Sequence, residues 1–499
     1  MQAVRFLHIS SWRFNRLLRF GVPAACHGLG ILFLAGFLYI SWHHLGFPYE
    51  LEWMEGGMLE HVHRLAQHQA IYVAPSLEFI PFSYTPLYFY FGAFLATLGG
   101  AELWGLRLLS IVSILFSMGL MAWWSWRETG SRAAAWLAVS LFAATYECSG
   151  AWWSLARVDS LFLALLLSGG FLLRHGRAAS STILAGVVLA LAFFCKQTGV
   201  LIALPMLVYA WWHLPRARAW QLSVAYAMVI LAGTLWLEWR SGGWFSYYCV
   251  QVPRDHPFIL WRIHHFWLDY FIQPLPIASA FALAFLIKRV IRMTEEGVFW
   301  LFFAGAIVLG SWISQIPSGS YHNVAIPGHA VLAMLAASGA HQGMKSMGKK
   351  NSLVWGFLFM QLLMALYDPR DWTPNKDEIR VRDEMVRQLA VVAGPVWMPD
   401  SGHLAVLAGH PAMAHRCAID DVLRSTARHG DPGLRQAVQQ AIHSGPFTHI
   451  VMNDEWLAEE LLDRYDRRVA PFAATREMRP KTGWQTQPQW FYFRKPGVF

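Results

Sequence analysis

Blocks of apolar residues parted by short polar loops run through this chain as far as residue 367 and leave it little choice of solvent. They lie near residues 24–42, 86–99, 103–126, 133–149, 159–173, 181–194, 198–213, 219–238, 271–287, 297–314, 324–341 and 351–367. A helix that crosses a bilayer needs about 20 apolar residues, because the hydrocarbon core is about 30 Å thick. Only 14% of the 499 residues are charged and 56% are hydrophobic, too few charges to clothe a soluble body of this size. The expectation is an α-helical polytopic membrane protein. Arg5, Arg13, Arg16 and Arg19 precede the first block, and no small-residue cleavage site follows it. The block therefore reads as an uncleaved span, not a signal peptide.

Basic side chains collect in cytoplasmic loops, so they decide which blocks cross. If 86–99 stays on one side, the inner loops beyond residue 100 hold twelve basic residues: Arg127, Arg132, Arg174, Arg177, Arg216, Arg218, Lys288, Arg289, Arg292, Lys345, Lys349 and Lys350. The outer loops then hold five, Arg157, Lys196, Arg240, Arg254 and Arg262. Counting 86–99 as a span inverts that bias. The prediction is eleven transmembrane helices, the amino terminus cytoplasmic and the carboxyl terminus outside, with 86–99 a juxtamembrane or half-inserted helix. One helix over 181–213 would be too long for a single crossing at 1.5 Å per residue, so the chain must reverse at Lys196–Gly199. The formal charge of +9 is spread over the short loops, which speaks against a nucleic-acid partner. The five cysteines show no metal-ligand spacing and read as small hydrophobes. Cys249 and Cys417 are the pair outside the membrane that a disulfide would join.

The composition turns polar after Tyr367. Residues 1–367 are thus expected to form the membrane domain and 368–499 an extracytoplasmic α/β domain. Within the tail, Val391–Met398 and His449–Asn453 read as strands, Asp454–Tyr465 as a helix, and Arg468–Ala473 and Trp490–Arg494 as further strands.

The predicted topology sends the chemically interesting clusters to one side. The first outer loop (43–85) carries Glu50, Glu52, Glu55, Glu60 and Glu78. Leu51, Met58, Val62 and Leu65 recur there at helical spacing, which predicts an amphipathic helix over Glu52–Gln67 lying on the membrane. Glu52 and Glu55 would then share a face. Glu60 and Glu78 read as ordinary surface acids. Asp159 suits a helix cap, and Arg107, Arg157 and Lys196 suit side chains that snorkel to the interface. Taken together they place three cations and several acids at one outer cleft, where burying charge near lipid is costly.

In order along the chain come Glu-Trp-Met-Glu-Gly (52–56), Ala-Ile-Tyr (70–72), Tyr-Thr-Pro-Leu-Tyr (84–88), Gly-Leu-Arg-Leu-Leu-Ser (105–110), Ala-Arg-Val-Asp-Ser (156–160), Lys-Gln-Thr-Gly (196–199) and Gly-Ser-Tyr-His-Asn (319–323). As an ordered set over roughly residues 25–340 this resembles the GT-C superfamily of polyprenyl-phosphate-sugar-dependent glycosyltransferases, which includes the protein O-mannosyltransferases and the lipid A aminoarabinose transferases. Many relatives carry Asp-Glu or Asp-Asp where this chain has Trp-Met-Glu, which leaves open which acid is the base.

The resemblance implies an inverting transfer of a sugar from a polyprenyl-phosphate donor to a glycan, lipid or protein acceptor, at the outer face of the inner (plasma) membrane. Glu55, then Glu52, would take the acceptor's proton, a contribution of ~10²–10⁴ in rate, and Asp159 would orient the acceptor or an arginine, or help bind a divalent ion. Lys196, Arg157 and Arg107 would hold the departing phosphate. Tyr84, Tyr88, His322 and Asn323 would line the cleft or meet the acceptor. Some relatives use such an ion and others do not, so the resemblance leaves a divalent metal cofactor open. The rival readings are a transporter or flippase of lipid-linked sugars, for which inverted repeats and mid-membrane polar groups are expected, and a non-catalytic envelope assembly factor.

Overall fold

The computed structural model describes residues 20–425, 432–471 and 474–496. The arginines ahead of residue 20 lie outside that range. Each apolar block is built around a helix. Val22–Leu45, Leu103–Thr129, Arg216–Ser241, Glu295–Gln315 and the run His322–Met347 are each long and apolar enough to cross a membrane. Arg262–Ile272 with Pro276–Ile291, and Ser352–Met364 with Pro369–Ala390, form pairs bent by 97° and 43°. Leu87–Gly99, Arg132–Ala143, Asp159–His175, Ala179–Cys195 and Gly199–His213 are shorter helices. This is a multi-pass membrane protein.

Local chemistry sets the helix ends. Gly130, at φ 68°, closes Leu103–Thr129 in a left-handed conformation, and the Ser131 hydroxyl then accepts from Ala134 N to open the next helix. A left-handed glycine followed by a serine cap reverses a chain in two residues. Ala179–Cys195 ends at Lys196 and the next helix begins at Gly199, so the helix breaks where a reversal is expected. Ala179–Cys195 packs between Asp159–His175 and Arg216–Ser241. The last contact is close: a Cβ on Gly186 would lie 2.6 Å from the Leu222 carbonyl oxygen, an approach that small residues permit between membrane helices. On the outer side of Arg216–Ser241, Leu231, Leu235 and Trp239 are 60%, 67% and 76% exposed. So large an apolar face is suited to lipid and not to water.

The tail carries a four-stranded sheet in the order β1-β2-β4-β3, made of β1 (Val396–Trp397), β2 (His449–Met452), β3 (Tyr465–Val469) and β4 (Trp490–Arg494). β1 and β2 are parallel, and β4 runs antiparallel to both β2 and β3. The second and last expected strands are where the sequence placed them. Val391–Met398 shrinks to two residues, because Gly394 sits at φ 87° and Pro395 has no N–H to pair. The expected helix 454–465 contracts to Ala458–Leu462, as Asp454 instead accepts from Arg416 and from Trp456 N. The strand expected from Arg468 begins earlier, at Tyr465, and residues 472–473 lie outside the described range.

All five cysteines are free, in keeping with their reading as small hydrophobes; Cys249 Sγ contacts the Tyr84 carbonyl at 3.4 Å and does not meet Cys417. One further expectation is corrected. The loop helix runs Glu55–Ala66, so Glu52 lies in the turn before it. Its apolar residues Met58 and Val62 are buried against the Leu87–Gly99 helix, and its other side meets the tail helix Gly402–Leu407. Protein, not lipid, covers this amphipathic face.

Candidate active site

The acids of the first outer loop do not form a solvated surface. Glu50, Glu52 and Glu55 are 8%, 1% and 0% exposed, whereas Glu78 is exposed and Glu60 half-buried. A buried carboxylate is tolerated only with partners, and Glu52 and Glu55 are each paired with an arginine.

Glu55 meets Arg107, which is likewise 0% exposed. Arg107 Nε and Nη2 donate to the two Glu55 oxygens at 3.0 and 2.6 Å. Leu51 N and Ala156 N donate to the same carboxylate at 2.7 Å each. The remaining Arg107 donors go to the carbonyls of His44, Phe47 and Tyr49. A guanidinium has five N–H groups, so every one is used. Despite complete burial, the Glu55 carboxyl is held below its ordinary range, because Arg107 and the two amides stabilise its anion more than desolvation disfavours it.

Glu52 meets Arg157, 4% exposed, through Nη1 at 2.8 Å. Arg157 Nη2 donates to the Tyr84 hydroxyl at 2.7 Å, and Arg157 Nε has no hydrogen-bond partner. Glu52 takes one further bond, from Met54 N at 3.2 Å. With fewer donors than Glu55, its carboxyl is pushed up to about 7 by desolvation, which outweighs the attraction of Arg157.

Two residues beyond Arg157, Asp159 opens a helix and accepts from Lys196 Nζ at 2.7 Å on one oxygen and from Asn323 Nδ2 at 3.0 Å on the other. That links the start of one helix, the break at 196–198 and the single 3-10 turn His322–Ala325 that precedes Ile326. Among the described residues this is the one hydrogen bond the Lys196 Nζ makes, so two of its three donors are uncommitted. The short stretch 156–159 therefore holds two acids and contributes a third: its Ala156 amide holds Glu55, Arg157 holds Glu52, and Asp159 joins Lys196 to Asn323.

Two expected cleft residues make, among the described residues, no direct bond to these acids or cations. Tyr88 is 0% exposed and braces helices, donating to the Leu106 carbonyl at 2.9 Å beside Ser110 Oγ. His322 is exposed and lies edge-on to Tyr270 and Tyr321. Tail residues that no motif had flagged also reach this region. His415 bonds the Trp53 carbonyl at 2.9 Å, Lys481 N bonds the Leu51 carbonyl at 2.8 Å, and Thr482 Oγ1 bonds the Gly150 carbonyl at 2.6 Å. They sit more than 300 residues from their partners, without local periodicity to announce them. Among the described residues no group of three or more His, Cys, Asp or Glu side chains is disposed to hold a metal ion.

Residues 83–239 match the family model for dolichyl-phosphate-mannose-protein mannosyltransferase, a stretch that includes Tyr84, Arg107, Arg157, Asp159 and Lys196. No curated protein matches the chain in sequence. Solved structures match along nearly its whole length. ArnT from Cupriavidus metallidurans bound to undecaprenyl phosphate superposes with a TM-score of 0.60 at 13% identity, covering 94% of this chain and 99% of that one. The apo form of the same protein gives 0.59 at 12%, covering 93% and 97%. The Archaeoglobus fulgidus oligosaccharyltransferase AglB, in complex with an inhibitory peptide and a dolichol-phosphate, gives 0.52 at 11%, covering 97% and 75%. With a bundle of apolar helices, a small carboxyl-terminal sheet and an ArnT-like superposition over both, the chain is a multi-pass membrane protein of the GT-C fold.

Proposed function

We propose that this protein is an inverting glycosyltransferase that moves a sugar from a polyprenyl-phosphate donor to a cell-envelope acceptor at the outer face of the inner membrane. The observation that carries the reading is the convergence of Glu52, Glu55, Asp159 and Lys196 on the stretch 156–159. Transfer needs an acid and a cation drawn together from distant parts of the chain, and burying such groups for stability alone is a poor bargain.

Within that reading Glu52 is the base and Glu55 is not. A base works best with its pKa near the working pH, which suits a carboxyl raised to about 7 by burial. Glu55 has two arginine bonds and two amide bonds, and its lowered pKa makes it a weak proton acceptor. Arg107 has no donor left for a phosphate, so the Glu55–Arg107 pair serves as a frame for the loop. The reaction runs as follows: the acceptor hydroxyl gives its proton to Glu52, its oxygen bonds the anomeric carbon, and the carbon–oxygen bond to the donor phosphate breaks on the opposite face. Lys196, with two uncommitted donors, and Arg157, through Nε, receive the charge that collects on the leaving phosphate. Asp159 holds Lys196 in place with Asn323, and Tyr84 holds Arg157.

Residues 1–367 act as the membrane and transfer domain, and 368–499 as an extracytoplasmic domain that covers the loop. The amino terminus is cytoplasmic. The test uses the full-length protein in lipid nanodiscs with a panel of radiolabelled undecaprenyl-phosphate hexoses and pentoses, reading release of undecaprenyl phosphate. Release by the wild type and its loss in Glu52→Gln and Lys196→Ala are expected. Undiminished release in a Glu52→Ala, Glu55→Ala double variant would remove the mechanism.

A further inference from the structure

The tail does more than cover the loop. Residues 477–483 are fixed from behind by Arg382, which is 4% exposed and donates to the carbonyls of Glu477, Met478 and Arg479 at 2.6, 3.3 and 3.0 Å. Lys481 Nζ adds an ion pair to Glu378 at 2.6 Å. From the front, the amides of Lys481 and Thr482 both donate to the Leu51 carbonyl, at 2.8 and 3.3 Å. Thr482, 5% exposed, also bonds the Gly150 carbonyl at 2.6 Å. The segment is thus stitched to the residue before Glu52 and to the turn that leads into 152–159.

Gly483 follows at φ 80°, buried. A Cβ on it would stand 2.7 Å from Glu52 Cγ and 3.0 Å from Glu52 Oε1. Contact that short is unavailable to a side chain, so the carboxylate occupies the space a side chain would need. Glu52 Oε2 meanwhile faces Arg157 Nη1. The carboxylate lies between the tail's backbone on one side and the guanidinium on the other.

We propose that Lys481–Gly483 is a wall of the transfer site and that Gly483 is a positioning residue, its missing side chain letting Glu52 lie against Arg157. This rests on the reading of Glu52 as the base. The tail then does not act as a separable acceptor-binding module, because the site is incomplete without it. Alanine at Gly483 drives the carboxylate off Arg157, and a carboxyl that loses its cation binds a proton more readily, about tenfold for each pKa unit.

The experiment reads the carboxyl directly and needs no sugar substrate. Full-length protein in nanodiscs is treated with dicyclohexylcarbodiimide, which adds to protonated carboxyl groups in apolar surroundings, and labelling at Glu52 is followed by peptide mass spectrometry from pH 5 to 9. Gly483→Ala is expected to raise Glu52 labelling about tenfold near pH 9, where a carboxyl raised to about 7 is mostly ionised, and by no more than about twofold near pH 7, where half of it is already protonated. Gly409→Ala is the control: that glycine is also left-handed, at φ 91°, but has open space around it, so it carries the backbone strain without the contact. Labelling unchanged in Gly483→Ala, or raised equally in both variants, overturns the proposal. Should Gly483→Ala fail to fold, Thr482→Val loosens the same wall, and its labelling must also rise; no rise overturns the proposal. If the labelling contrast holds while Glu52→Gln transfers sugar normally, the wall stands and the reading of Glu52 as base falls.

Discussion

Arg107→Lys separates a framing arginine from a phosphate-binding one. The substitution keeps the positive charge but offers three donors in place of five. Arg107 fills five bonds, to two Glu55 oxygens and three carbonyls, in a site with no exposure. At least two buried acceptors are therefore orphaned, each costing about 1–3 kcal/mol, or about 2–6 kcal/mol in all. Against a typical total stability of 5–15 kcal/mol that is a large fraction. Thermal unfolding of the nanodisc protein, followed by tryptophan fluorescence, should show a clear fall in Tm, and donor KM of the surviving folded enzyme should stay near wild type. Arg107→Met should be worse, since it strands the Glu55 anion, at about 3–5 kcal/mol for a broken buried pair; adding Glu55→Gln should recover part of the loss. A Lys variant with wild-type Tm and a raised donor KM would refute the reasoning and return Arg107 to the phosphate.

The other expectations concern chemistry and topology. Transfer should rise with pH and level off above about 7, because Glu52 accepts a proton only when ionised and its carboxyl is raised to about 7; a flat profile from pH 5 to 9 counts against Glu52. Glu52→Gln should lower the rate ~10²–10⁴-fold with little change in Tm, whereas Glu55→Gln should act mainly through stability. Lys196→Ala should slow transfer and weaken donor binding while Lys196→Arg restores part of both; equal loss in the two variants would make the role of Lys196 structural. Protease added from outside should clip the tail after Tyr367, while a tag at the amino terminus stays protected in intact cells, and the reverse pattern would turn the protein upside down.

Much of the architecture is local information. Runs of apolar residues become helices in a membrane because backbone groups have no water to bond and must pair within the segment, and so every apolar block here is helical. The strands His449–Met452 and Trp490–Arg494 were likewise legible from short β-branched and aromatic runs. That a single helix does not run through Lys196 follows from length alone. The candidate site was partly legible as well: Glu52, Arg157, Asp159, Lys196 and Asn323 all stand in the motifs, and their side chains meet in two linked groups.

What the sequence could not assign was pairing. Glu52 and Glu55 are three residues apart and chemically identical, yet one meets an arginine with five committed donors and the other an arginine with one unpartnered nitrogen. Those partners lie 52 and 105 positions away, and local pattern says nothing at such separations. The same holds for Tyr88, a helix brace despite its motif, and for Gly483, whose meaning depends on a carboxylate more than 400 residues earlier. Hydrophobicity and chain stiffness act along the sequence and settle which segments become helices. Desolvation and hydrogen-bond count act through space, so only the packed structure decided which acid is held as an anion and which has its pKa raised toward neutral pH.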